Sequence, residues 1–283
     1  MLARLLGKKT AEVLDSINGI NLSPEDVVKL GNVVHDYSPI HRDVEVAQQF
    51  GFVERPVIGV HLASIGGRIA RNLLAVMQQS EWQFTSQDVT FRDPVYPGEP
   101  INWQIGEEAV EEESRRYSLI IPSPEQDKKP RVEMIATFSP KWPEFKQPER
   151  NNLIYRDEIK FAVPETREFY ECLREQPKAE VLFSYAAARK PSTLLTMVGE
   201  LNRINNTNIG GKNIQMINHA HGDLQLGNAT VEVYANEIKG RGNKVFYTFD
   251  MVLYQNEQPK VSSWIKTLAN GLVDVTALKD KFR

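Results

Sequence analysis

Between Val60 and Val76 the apolar residues Val60, Leu62, Ala63, Ile65, Ile69, Leu73, Leu74 and Val76 recur at helical spacing. The run is apolar on most sides and contains Gly66-Gly67, so it reads as a buried central helix with close neighbours. Directly afterwards the period changes to two. Residues 87–93, with Val89 and Phe91 alternating, predict a strand, and Pro94-Val95-Tyr96-Pro97-Gly98-Glu99-Pro100 predicts a corner. Further strands are predicted at 101–110, 116–121 and 131–138, separated by charged or proline-containing turns. A long apolar helix followed by an antiparallel meander can bury itself if the sheet wraps around it, one face on the helix and the other free. The predicted fold class is α+β.

The second half repeats this order. Residues 189–205 read as a helix through Leu194, Leu195, Met197, Val198 and Leu201, and Gly210-Gly211 breaks it. Strands are predicted at 224–226, 230–235, 244–253 and 260–268. An offset of 129 residues aligns Gly98 with Gly227 and Tyr117 with Phe246. Shared element order over two halves is the sign of an internal structural repeat. Between the halves lies Ser139-Pro140-Lys141-Trp142-Pro143-Glu144-Phe145-Lys146-Gln147-Pro148, whose proline and charge suit an extended linker. The boundary is placed near residue 145, giving units 1–145 and 146–283. At 283 residues the chain is comfortable with two such cores.

Upstream of the first helix, Ser23 can cap and Pro24 open a short helix over residues 22–35. A polar segment, His35-Asp36-Tyr37-Ser38-Pro39, follows, and then a helical turn through Val44, Val46, Ala47 and Phe50. This polar segment is where chemistry is expected. Asp36-Tyr37-Ser38-Pro39-Ile40-His41 places a carboxylate five residues before an imidazole, with Pro39 stiffening the loop so that both can face one point. Such a pair can bracket one water and move protons near neutral pH. Gly59 opens the central helix, where backbone N–H groups point out of the helix end and can hold an oxygen that gains charge.

The segment Asp36-Tyr37-Ser38-Pro39-Ile40-His41, Ala47 six residues later, Arg55-Pro56 leading into Gly59, and the corner Phe91-Arg92-Asp93-Pro94-Val95-Tyr96-Pro97-Gly98 together resemble the signature of MaoC-like dehydratases and (R)-specific (type 2) enoyl-CoA hydratases. The resemblance is strongest over residues 33–101. It departs from the family at Ser38, where Asn is usual, at His35, where Gly is common, and at Gly67, where some relatives have Ser. It implies a double hotdog, two antiparallel sheets each wrapped around a central helix and forming one pseudo-dimer. The implied activity is that of a hydro-lyase of fatty acid metabolism, interconverting an enoyl thioester and an (R)-3-hydroxyacyl thioester. Asp36, His41 and the Gly59 amide would be catalytic, and Ser38, Pro39, Arg55, Val60 and Gly67 would meet the substrate. No metal or redox cofactor is required; CoA or acyl carrier protein arrives as part of the substrate. The second half has no counterpart of the Asp36–His41 motif, so it is expected to shape the acyl pocket. A thioesterase and a non-catalytic acyl-thioester-binding subunit are the alternatives on this scaffold.

Other candidates read more plainly. His61 lies inside the helix pattern and is expected to be a core histidine. His219-Ala220-His221 resembles a metal pair but has no further Cys/His cluster nearby, and a channel-lining role is the alternative. Glu111-Glu112-Glu113 is expected to be a solvated turn, and Cys172, the single cysteine, an incidental thiol. A net charge of -3 without a basic stripe argues against nucleic acid. The N-terminus lacks the apolar core of a secretory signal, and no run reaches the ~20 apolar residues of a membrane span. The expectation is a cytoplasmic monomer or homodimer that contacts no membrane.

Overall fold

The computed structural model describes residues 11–77, 81–111, 113–125, 127–176, 182–205, 211–241 and 244–269. The N-terminal leader reading, residue 112 of the acidic turn and Gly210 lie outside them. The described residues fall into two compact units, one from residues 11–32, 37–142 and 172–174, the other from residues 33–36, 143–171 and 175–269.

The first unit is organised by α3 (Gly59–Met77). Ahead of it come β1 (Ile20–Asn21), α1 (Pro24–Val34), a 3-10 turn (Pro39–His41) and α2 (Val44–Gln49). Ser23 and Asp26 cap α1 reciprocally: the Ser23 amide donates to Asp26 Oδ2 at 2.9 Å and the Asp26 amide to Ser23 Oγ at 3.1 Å. After α3 the chain forms β2 (Gln83–Phe91), β3 (Pro100–Ile101), β4 (Gln104–Glu111), β5 (Ser114–Ile121) and β6 (Val132–Ser139). Within this unit the antiparallel order is β4-β5-β6-β2, with β1 paired to β3.

Helix α3 lies on β2 and β6. Ile65 and Ile69 of the helix and Val89, Leu119, Met134 and Ala136 of the strands are all buried, each large side chain contributing about 1.5–3 kcal/mol. The close approach is possible because residue 66 is glycine. A Cβ there would stand 2.6 Å from Met134 Sδ and 3.2 Å from the Trp103 ring. Trp103 is held from behind by Asn18, whose Nδ2 donates to the Trp103 carbonyl at 3.0 Å while its Oδ1 accepts the Trp103 amide at 2.7 Å.

The second unit contains β7 (Leu153–Phe161), α4 (Val163–Cys172), α5 (Phe183–Arg189), α6 (Pro191–Asn205), β8 (Gly211–Ala220), β9 (Gly227–Arg241), β10 (Lys244–Gln255) and β11 (Gln258–Ala269). Its antiparallel order is β8-β11-β10-β9-β7. The β10–β11 hairpin turns at Asn256 and Glu257, with φ of 51° and 60°, the double left-handed geometry that matches strand twist. Helix α5 packs against β11, and Tyr185 stacks on Phe169 at 4.5 Å.

Three features depart from the sequence expectation. The helix expected over residues 189–205 is α6, and an unexpected helix, α5, precedes it, with Pro191, which has no N–H, opening the second. Residues 224–226 are not a strand; β8 precedes them instead. Strand β7 and helix α4 occupy the stretch after the linker, which carried no predicted strand.

Candidate active site

His35 ends α1 in the left-handed region, φ 57°, a conformation that costs a non-glycine residue about 1–2 kcal/mol. A glycine here would meet that requirement without strain. His35 Nε2 lies 4.0 Å from Glu165 Oε1, both side chains more than a third exposed. Burial lowers the His35 pKa, as does nearby Arg189, against the opposing pull of Glu165 and Asp157. The chain reversal ends the helix and begins the segment that carries Asp36, which is half-buried.

Ser38 stands at the N-cap of the 3-10 turn with Pro39 in its first position. The Arg42 and Asp43 amides close that turn on the Pro39 carbonyl at 2.9 and 2.8 Å. Asp43 then caps α2, accepting the Glu45 amide at 2.8 Å and the Val46 amide at 3.2 Å. Ala47, the small residue of the motif, is completely buried and its carbonyl accepts the Phe52 amide at 3.1 Å. A larger side chain would overpack this site. The closed 3-10 turn and the Asp43 cap that follows it hold His41 half-buried at the turn's end.

His41 Nδ1 lies 2.8 Å from the Pro56 carbonyl oxygen. A carbonyl can only accept, so Nδ1 carries the hydrogen and the neutral ring presents its lone pair at Nε2. The same chain segment enters α3 three residues later. The Ile58 carbonyl accepts the His61 and Leu62 amides at 2.9 and 3.4 Å, and the Val57 amide is tied to the Val95 carbonyl at 2.8 Å. The Gly59 and Val60 amides thus precede the first intrahelical bonds, in the helix end that favours negative charge. A Cβ on Gly59 would come within 3.1 Å of Phe91 Cζ. Phe91 is a contributor that the sequence did not single out, although it begins the recognised strand corner. That corner is braced by Arg131, which donates to the Pro94 carbonyl and, at 2.7 Å, to Glu99, and by the Arg92–Glu133 ion pair.

Of the expected substrate-contacting residues, Ser38 is half-buried and Pro39 exposed, while Val60 and Gly67 are buried in α3. Gly67 lies eight residues beyond Gly59, about 12 Å along the helix axis. Arg55 is engaged locally, Nε 3.1 Å from Glu54 Oε1 and Nη1 3.4 Å from the Arg42 carbonyl. With Pro24, Glu25, Val28, Lys29 and Asn32 it also lines an open groove of about 320 Å³. Arg42 reaches Asn32 Oδ1 at 2.8 Å and lies over the exposed Tyr37 ring at 5.1 Å.

His61 is fully buried in α3, and that burial drives its pKa down to about 4. It is a neutral core histidine. His219 lies on β8 and His221 immediately beyond its end, their ring centroids 6.4 Å apart. Both His221 nitrogens meet oxygen partners, the Pro143 carbonyl at 2.9 Å and Ser262 Oγ at 2.8 Å. Among the described residues no group of three or more His, Cys, Asp or Glu is placed to hold a metal ion. None of the described helices is long and apolar enough to cross a membrane.

The architecture is of the hotdog type, α+β with antiparallel sheet and central helix. Solved structures share it: a MaoC-like dehydratase matches with TM-score 0.63 and 7% identity over 89% of this chain and 95% of its own. A MaoC domain protein dehydratase from Chloroflexus aurantiacus matches with TM-score 0.64 and 8% identity over 89% and 92%. The sequence carries the placement further, since residues 6–119 match the family model described as MaoC like domain. This part of the chain is similar to that family's domain. A curated relative, the mitochondrial 3-hydroxyacyl-[acyl-carrier-protein] dehydratase of Arabidopsis thaliana, is 35% identical over 97 residues, 34% of this chain. The chain spans about half, 54%, of that relative's length.

Proposed function

We propose that the protein is a hydro-lyase that interconverts an enoyl thioester and an (R)-3-hydroxyacyl thioester. The observation that carries this reading is the His41–Pro56 hydrogen bond, which leaves an acceptor lone pair at Nε2 of a half-buried imidazole. In the hydration direction, Asp36 and His41 share the proton transfers. One takes a proton from water as its oxygen bonds to the β-carbon, and the electron pair of the double bond moves through the α-carbon to the thioester oxygen. The Gly59 amide holds that oxygen while charge is on it, and a proton then returns to the α-carbon. Losing one such amide donor costs about 3 kcal/mol of barrier in comparable sites. The reaction consumes no redox equivalent, and a CoA or acyl-carrier-protein thioester is the substrate. The groove flanked by Lys29 and Arg55 suits the phosphate-bearing arm of that carrier, because it adjoins the Arg55-Pro56 step that also holds His41.

The test is purified protein with crotonyl-CoA and a crotonyl-carrier protein, followed by loss of enoyl absorbance and chiral analysis of the 3-hydroxy product. His41→Ala and Asp36→Asn should each lower kcat by about 100-fold or more, in the range of a lost general acid or base. Thiol release from saturated acyl-CoA without enoyl loss would replace hydration by hydrolysis, and equal rates in wild type and both variants would overturn the assignment of these residues.

A further inference from the structure

The second unit holds a constellation that the hydro-lyase reading leaves unused. Strand β11 alternates, so Lys260, Ser262 and Trp264 share one face while Val261, Ser263 and Ile265 are buried on the other. On the neighbouring strand β8, His219 lies opposite Ser262 and Ile217 opposite Trp264. His221, just past the end of β8, places Nε2 2.8 Å from Ser262 Oγ and Nδ1 2.9 Å from the Pro143 carbonyl. The carbonyl cannot donate, so Nδ1 carries the hydrogen; Nε2 is then the acceptor and the Ser262 hydroxyl donates to it. This is the order of nucleophile, base and orienting acceptor that activates a serine.

We propose that Ser262, His221 and the Pro143 carbonyl form a nucleophilic site for short acyl groups carried on an ester or thioester carbonyl. Both side chains are half-buried, dry enough to strengthen the pair and open enough to be reached. Burial lowers the His221 pKa, against the pull of the Pro143 bond, and this keeps the ring neutral and able to accept a proton. Phe145 meets the His221 ring edge-on at 5.2 Å, and half-buried Ile217 and Trp264 continue an apolar wall along the Ser262 face. The Lys260 amino group lies 3.4 Å from where a Cβ on Gly222 would stand, beside the turn that follows His221. It supplies a donor for an oxygen that gains charge.

The chemistry balances with water as the sole co-reactant. Ser262 Oγ adds to the acyl carbonyl as its proton passes to His221 Nε2. The carbonyl re-forms, the bond to the leaving alcohol or thiol breaks, and that group takes the proton from Nε2. Water then attacks the acyl-serine with His221 as base, the acid is released and the hydroxyl is restored.

The experiment uses the full chain and has two parts. A fluorophosphonate probe is added to the wild-type protein and its attachment mapped by peptide mass spectrometry, with p-nitrophenyl butyrate and butyryl-CoA as substrates in parallel. Both substrates are saturated, so hydration cannot contribute. The expected result is an adduct on Ser262 and a hydrolysis rate that falls about 100-fold or more in Ser262→Ala and His221→Gln. Turnover of the p-nitrophenyl ester alone assigns esters, and turnover of butyryl-CoA assigns thioesters. No adduct on Ser262 in folded wild type, or an undiminished rate in a Ser262→Ala protein of unchanged melting temperature, would overturn the proposal. His221 would then serve to pin the segment that begins at Pro143.

Discussion

Lys190 occupies the junction of α5 and α6 with 0% of its surface exposed. Its Nζ donates to Ser263 Oγ, and Ser263 in turn donates to Asn218 Oδ1. Burial drives the Lys190 pKa well below 10.5. The native amine is therefore neutral in a pH range where the unfolded chain binds a proton. Because the unfolded state holds more protons there, stability rises with pH until the unfolded lysine also loses its proton. Wherever the native amine is neutral and the unfolded one charged, the slope approaches about 1.4 kcal/mol per pH unit, the value for one proton. Lys190→Met keeps an unbranched side chain, removes the titrating group and gives up one hydrogen bond worth about 1 kcal/mol. The variant should be more stable than wild type at pH 7 by about 1–3 kcal/mol, in line with replacement of other buried charges by apolar groups. Urea unfolding at pH 7, 8 and 9 measures both quantities. The wild-type midpoint should climb relative to Lys190→Met across the series. Parallel midpoints for the two proteins would refute the neutral buried amine.

Three further perturbations probe the first unit. Gly59→Ala should cost about 1–3 kcal/mol by overpacking and slow enoyl hydration, since its Cβ would press on the Phe91 ring at 3.1 Å; adding Phe91→Leu should restore melting temperature in a thermal scan. His35→Gly should raise stability by about 1 kcal/mol in urea melts, because it relieves a left-handed residue while the part-exposed ion pair to Glu165 that it gives up is worth little. Arg55→Ala should raise KM for crotonyl-CoA several-fold with kcat little changed, and an unaltered KM would remove the groove from carrier recognition.

What could be read in the sequence was whatever left a periodic or chemical trace. The stripe from Val60 to Val76 becomes α3, and the alternation of Val89 and Phe91 becomes the end of β2. Strand β8 was hidden because its buried face carries Met216, Asn218 and Ala220, so a polar residue interrupts the apolar beat. Helix α5 was hidden for the opposite reason: from Ser184 to Arg189 every residue is buried, which leaves no polar face to mark a helical period. Lys190 runs against the rule that lysines stay in water, a rule without which no core can be guessed from composition. At the candidate site, residue types were legible but backbone was not. Nothing in the letter for histidine announces the positive φ of His35. The Ser262–His221 pair joins residues 41 apart in the chain, and only strand register brings them together.

The acceptor that orients His41 is a main-chain carbonyl. A carboxylate in that role could be lost to a single change of codon, whereas every residue at position 56 carries the same oxygen. The placement of the ring proton is thus inherited with the path of the chain rather than with any one side chain. A lineage could exchange the residues around this imidazole extensively, altering what fits beside it, while the ring itself stayed poised in the same tautomer.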